Sequence, residues 1–503
     1  MKTYLCIGFF WWSAFLLGQE IRVTLVDSLT KDPIPYATVL SNFNENTIAN
    51  EEGNFRLIKS TPFTLQDSLF ISCMGYQNRN LRADQVQDSL LYLAPKEIEL
   101  NAVILTQNNL TAEEIIQKAQ ENIAAKYNLD LSEKTFFMRE SFYQKYLKRE
   151  MKVKRSSIKE FNQQFWDSIF KTIPVEDAWH TESYGKLYGD WSKENQKLRL
   201  DRAVELADTV NEKGYDQIEN KITSVLDQQV KENSYFKFKS GIFSTKVDRE
   251  EVIEKPKDST QVASTEAVEK EEEEEEFPPE EAFYRRRSNR LKNIFSSFVK
   301  KNKLDLSVLT KSKYYAFELI NFTYLEDTPV YQIAFKPNHK KGKYTGTLYI
   351  DADSFALLQI EFKNNAVLNS FSLFGLSFEM YHNAVQLKFN KFGNNKYNLQ
   401  YLTTDNAFTT GIDRPFKVVE KNKFVRGRRK QNELKGEVHF NLDQRSQITL
   451  VIFDEAPLSE KSFTDLKENK IFTPEKRNAY DPSFWEGYNI LAPNASVKAY
   501  IAN

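Results

Sequence analysis

From Tyr314 onward the chain repeats one device: runs of about eight residues that alternate apolar or aromatic with polar side chains, separated by short turn-forming segments. Phe317 to Tyr324, Val330 to Lys336, Tyr344 to Asp351 and Ala356 to Lys363 follow one another at hairpin spacing, joined by acid-rich or Lys/Gly-rich turns. Period-two alternation sends successive side chains to opposite faces, and short connections favour antiparallel neighbours. Phe374 to Phe389, Lys396 to Thr403 and Glu437 to Phe453 extend the pattern. It predicts one large, curved antiparallel sheet with an aromatic face that something must cover. The 38 Phe and 24 Tyr, against only 16 Gly and 5 Met, agree with a mainly β chain.

The N-terminus reads as a processing segment. Lys2 precedes an apolar run from Tyr4 to Leu17, which Gly18-Gln19-Glu20 ends with small and polar residues. That layout predicts a secretory signal peptide over residues 1–18 and cleavage after Gly18. The run is shorter than the roughly 20 residues a membrane-spanning helix needs. No later stretch is long and apolar enough, so no transmembrane helix is expected in the mature chain. Export to the periplasm or the outer membrane is the expected localisation. Cys6 leaves with the signal segment, and Cys73, alone in the strand-like run Leu69–Met74, is expected to be a small buried hydrophobe. With 69 Lys+Arg against 70 Asp+Glu the net charge is −1, which argues against nucleic acid as a partner.

Residues 21–105 read as short strands punctuated by turns, a small β-sandwich in which Val23, Leu25, Phe55 and Leu57 face one core. Gly53 supplies the positive φ of a tight turn, and Asn54 hydrogen-bonds nearby backbone. The residues carry a resemblance. Val23 to Asp27, followed by Asp32-Pro33-Ile34-Pro35-Tyr36-Ala37-Thr38-Val39, resembles the first hairpin of the carboxypeptidase regulatory-like domain. Thr47 to Phe55 is similar to its "T-x-T-[DN]-x-x-G-x-F" turn, and Leu69 to Met74 with Gly75-Tyr76 to its "L-x-[FI]-S-x-x-G-Y" strand and turn. Tyr92-Leu93 and Ile98 to Ile104 resemble its closing strands. The resemblance implies a transthyretin- or Ig-like sandwich in an envelope protein of Gram-negative bacteria, an accessory module without peptidase activity. Asp481 to Asn489 is similar to the closing stretch of envelope proteins that carry this module, and Gly346 to Asp351 with Ala356 to Ile360 resembles a strand pair of lipoprotein-carrier half-barrels.

Between these parts, residues 110–249 form a helix-plus-strand region expected to join the C-terminal sheet. Thr111-Ala112-Glu113-Glu114 is a capping box, and Ile115, Ile116, Ala119, Ile123 and Ala124 make one face of the following helix apolar. Residues 250–281 hold 14 acids and 3 bases and predict a solvated, disordered linker. The domain over 285–503 opens with eight Lys/Arg and no acids from Arg285 to Lys303, interleaved with Leu291, Ile294, Phe295, Phe298 and Val299. That spacing is a basic amphipathic helix, docked on its own domain or lying on an anionic membrane.

Chemistry is sparsely signalled. His180, His339, His382 and His439 are far apart and match no zinc-peptidase spacing. No nucleophile elbow, dinucleotide fingerprint or phosphate loop occurs. The sequence therefore predicts no catalytic, cofactor-binding or metal residues and no cofactor. The expected function is an exported, non-catalytic envelope protein that binds or scaffolds an envelope protein partner, with possible peripheral outer-membrane association. The alternative is a half-barrel-type carrier of a lipid or other apolar ligand, and the second alternative a hydrolase whose groups converge from distant positions.

Overall fold

The computed structural model describes residues 19–43, 45–59, 61–86, 89–96, 110–207, 209–241, 243–249, 278–300, 303–326, 328–392, 396–427 and 429–501. The signal segment 1–18 with Cys6, the closing strand expected at Ile98 to Ile104 and linker residues 250–277 lie outside them. The chain is mainly β and divides into two compact units. One comprises Met1–Glu99, Thr323–Thr328 and Asp481–Ala495; the other comprises Leu100–Phe322, Pro329–Tyr480 and Ser496–Asn503.

The first unit contains strands β1 (Gln19–Asp27), β2 (Thr38–Ser41), β3 (Thr47–Ile48), β4 (Asn54–Lys59), β5 (Ser68–Ser72), β6 (Arg79–Arg82) and β7 (Ser89–Leu93). They form one sheet of order β4-β1-β7 and another of order β3-β2-β5-β6. Val23 lies opposite Phe55 and Ile21 opposite Leu57, and these side chains share a core with Leu25, Val39, Leu69 and Ile71. Cys73 packs into that core as a buried thiol. The turn into β4 needs glycine: Gly53 has φ +74°, and a Cβ there would lie 2.5 Å from the Leu25 carbonyl oxygen. Asp481–Ala495, placed by sequence at the end of the large-sheet domain, groups instead with this unit. Its Asn489 Oδ1 accepts from the Ile58 N–H on the outer edge of β4 (2.6 Å), and Trp485 is fully buried. A free strand edge is thereby satisfied by a segment more than 400 residues away in sequence.

The second unit begins with α1 (Ala112–Lys126), β8 (Ser132–Ser156), α2 (Gln163–Thr172), β9 (Glu176–Gly189), β10 (Gln196–Leu206), α3 (Thr209–Gln229), β11 (Ser234–Ser240) and β12 (Phe243–Asp248). It continues with α4 (Pro279–Ser297), β13 (Val299–Lys300), β14 (Lys303–Leu304), α5 (Ser307–Thr310), β15 (Tyr315–Leu325), β16 (Thr328–Pro337), β17 (Tyr344–Asp351) and β18 (Leu357–Asn364). The last elements are β19 (Asn369–Leu373), β20 (Leu376–Asn390), β21 (Asn398–Asn422), β22 (Lys430–Pro457), α6 (Glu460–Asp465) and β23 (Glu475–Arg477). Fourteen strands make one open sheet along the path β15-β16-β17-β18-β20-β21-β22-β8-β9-β10-β23, with β19 beside β20 and the β11–β12 hairpin beside β21. One buried apolar residue per strand runs across it: Ile333, Leu348, Ile360, Leu387, Leu402, Leu450 and Met138 are successive cross-strand partners. Such pairs are the units that stabilise a sheet.

The capping box is formed as expected, with Thr111 Oγ1 accepting from the Glu114 N–H and the Glu114 carboxylate from the Thr111 N–H. Three elements differ from the expectation. The basic helix starts at Pro279, not near Arg285, so residues 279–281 of the predicted linker are helical. Proline is pre-set for the first helical position, and Glu280 and Glu281 sit at the positive end of the helix dipole. The helix stops at Ser297 and buries Phe283, Tyr284, Leu291, Ile294 and Phe295. The strand expected over Phe374 to Phe389 is formed as β20 from Leu376, but β19, which no expectation included, pairs with it in a hairpin turning at Phe374-Gly375. β21 runs on from Thr403 to Asn422 through a stretch rich in Thr, Asn and Asp. Its Pro415 falls between Ile412, the last partner of β20, and Lys417, the first of β11. The missing N–H therefore costs no ladder bond on that edge.

Candidate binding site

β21 and β22 keep one register over most of their length, so even-numbered positions of each share a face. Leu402 and Leu450 put that face in the core; Phe416, Val418 and Val438 continue it toward the far end. On β8, Leu147 is an extra residue opposite the Asn441–Leu442 step. The bulge reverses the parity beyond it, and Met151 then lies opposite Val438 on the same face. β11 pairs with β21 through Phe238 and Val418, and β12 folds back along β11. Where this hairpin meets β21, β22 and β8 lies an open groove of about 560 Å³, lined by Met151, Phe238, Phe243, Phe416, Val418 and Val438, with Lys239 and Lys417 also contributing.

Gly436 makes room for one wall. It pairs with Phe416, and a Cβ there would come within 2.3 Å of the Lys152 carbonyl oxygen and 2.8 Å of the Phe416 ring. The two lysines differ. Lys417 is held by Glu433 (2.8 Å), which Lys430 also reaches (2.7 Å). Hydrogen bonds from these ammoniums hold the Glu433 carboxyl down at about 2. Lys239 is exposed and forms no ion pair among the described residues. Lys239, opposite Lys417, lies on the alternate face of the ladder from Phe238 and Val418, so the site is an open apolar groove suited to an acyl or aryl body.

The histidines do not converge. His339 stacks on Tyr314 (5.1 Å between ring centroids), His382 faces Asp405 (3.4 Å) and His439 pairs with Asp413 (2.8 Å). His180 Nδ1 lies 2.7 Å from Ser141 Oγ across β8 and β9, a serine–histidine pair that local motifs could not reveal. Both side chains are buried, and the Tyr500 ring sits edge-on over the imidazole. Burial and the Arg139 cation push the imidazole down to about 4, so it is neutral at pH 7. Arg139 itself pairs with Glu182 (2.6 Å), so that carboxylate is engaged by the cation. The serine–histidine pair is a buried cross-strand hydrogen bond. Among the described residues, no three His, Cys, Asp or Glu side chains are placed to hold a metal ion.

The sequence contained the groove's strands, since Ser234 to Lys239 and Glu437 to Phe453 both alternate, but not their pairing. No known family model matches this chain, and no curated protein is similar to it.

Proposed function

We propose that this protein is a non-catalytic binding protein that holds the apolar tail of an amphiphile, a fatty acid or lipid acyl chain, in the groove where β11–β12 meets the sheet. The observation that carries the reading is the groove itself: about 560 Å³, within the roughly 300–1,000 Å³ common for small-molecule sites, with aromatic and aliphatic walls. An apolar acyl chain laid against such walls removes their surface from water. The resemblance of residues 21–105 to the regulatory-like domain and the signal-like segment 1–18 support an envelope setting, in which mature protein begins near Gln19.

The test is mass spectrometry of organic extracts of the purified protein, followed by displacement of a fluorescent fatty acid. Co-purifying acyl chains and displacement by unlabelled palmitate are expected. Val418→Trp, which fills the groove, is expected to weaken binding at least tenfold while the protein stays folded. Clean extracts and no binding by the wild-type protein would overturn the reading.

A further inference from the structure

The groove's rim continues onto an exposed surface built from two hairpin tips. The turn of β19–β20 reaches β21 where the Asp413 N–H donates to the Gly375 carbonyl oxygen (2.7 Å). The turn of β11–β12 reaches it one residue on, where Arg414 donates to the Ser240 carbonyl oxygen (2.7 Å). Phe243, a wall of the groove, meets Phe374 edge-on at 6.3 Å. Around this contact Phe371, Leu373 and Phe374 are 55, 61 and 58% exposed.

Two features set this patch apart from scattered surface hydrophobes. Residues 364–378 carry no charge, where the chain's 28% charged content would place about four in such a window. Phe374 also holds φ +50°, a conformation usually left to Gly or Asn, so a large apolar side chain is kept at the tip against backbone preference. The adjoining hairpin is cationic. Lys237 lies directly opposite Lys246, a like-charge pair that destabilises a ladder when uncompensated. Neither these two nor Lys239 makes an ion pair among the described residues, and Asp248 is engaged by Lys423 (3.3 Å).

We propose that the two hairpin tips dock into the interface of an anionic lipid bilayer, the aromatic tip inserting and the three lysines meeting lipid phosphates. The inference rests on the groove reading, for which it names the source of the ligand. Aromatic side chains favour the headgroup level, and each lysine near an anionic surface contributes about fivefold in partition.

Flotation of the full chain with vesicles tests this. The protein is expected to float with phosphatidylcholine–phosphatidylglycerol vesicles and much less with phosphatidylcholine alone. Phe371→Ser with Leu373→Ser is expected to reduce flotation at least tenfold, and Lys237→Ser with Lys246→Ser about twentyfold at low salt. Phe374→Asn keeps the turn, because Asn tolerates positive φ, and is expected to weaken flotation without loss of thermal stability. Wild-type protein that stays with the unbound fraction, or variants that float unchanged, overturn the proposal. So does a dimer in solution that the tip variants dissolve, since a second copy then covers the patch. Fatty-acid displacement without vesicles, run on the same variants, should match wild type. Failure there in the wild-type protein with flotation intact removes the groove reading alone.

Discussion

Ser141 and His180 show how a side chain of catalytic type can be spent on packing, and their burial has a measurable consequence. The imidazole is 1% exposed and its pKa falls from 6.5 to about 4 on folding. The folded state therefore binds fewer protons than the unfolded state between those values, so stability rises with pH across the window. This contribution is complete above pH 6.5, declines as pH falls, and is exhausted by about pH 4. The span corresponds to about 3 kcal/mol. Urea unfolding of wild type against His180→Gln should show the wild-type slope over pH 6.5–4 and a flatter profile in the variant. Parallel profiles would mean that the imidazole titrates alike in the folded and unfolded chain. Glu433 acts in a lower window, its depressed carboxyl contributing above 4.5 and losing its effect as pH falls toward about 2. None of this was legible beforehand, because the pairing that joins positions 141 and 180 is a matter of register, not of spacing.

At the scale of elements, local pattern succeeded where apolar periodicity and end signals coincide, as in α1 with its capping box and in β15 to β18. It failed where partners override composition: the Thr- and Asp-rich half of β21 is a strand because β20, β11 and β22 complete its ladders. The basic run of α4 shows the same limit. Arg285 pairs with Glu281 and Arg286 with Glu205, while Arg287 and Arg290 both reach Glu140 on β8. Burial, with Arg290 adjacent, pushes the Arg287 guanidinium down to about 9, which leaves it cationic at neutral pH. Glu140→Ala leaves two cations without their carboxylate and should cost about 3–5 kcal/mol. Hydrogen exchange should localise the loss to residues 279–297. Unchanged protection there would show that the buried Phe283, Leu291 and Phe295 dock the helix without the ion pairs.

For the whole molecule, the mainly β class and the presence of one large sheet were readable from alternation and turn spacing, whereas the chain's order within the sheet was not. β22 joins β8 from nearly 300 residues away, and Asp481–Ala495 returns to the unit formed by the first hundred residues. Such contacts carry no local signature, since any two amphipathic strands are compatible until a core selects between them. Each unit has an apolar core among its described residues, one around Ile21, Val39 and Leu69 and the other along the row from Ile333 to Met138. Packing energy is local to each, so a cavity in one core should loosen that unit first. Trp485→Ala removes a fully buried ring and should cost about 3–5 kcal/mol. The loss should appear as faster amide exchange in β1, β4 and β7, with fatty-acid binding retained. Leu450→Ala, next to the Met138 end of the second row, should cost about 2–5 kcal/mol and do the converse, speeding exchange in β8, β21 and β22. Equal acceleration of all these strands by either substitution would mean that the chain unfolds as one cooperative block, and the division into two cores would then have no energetic counterpart.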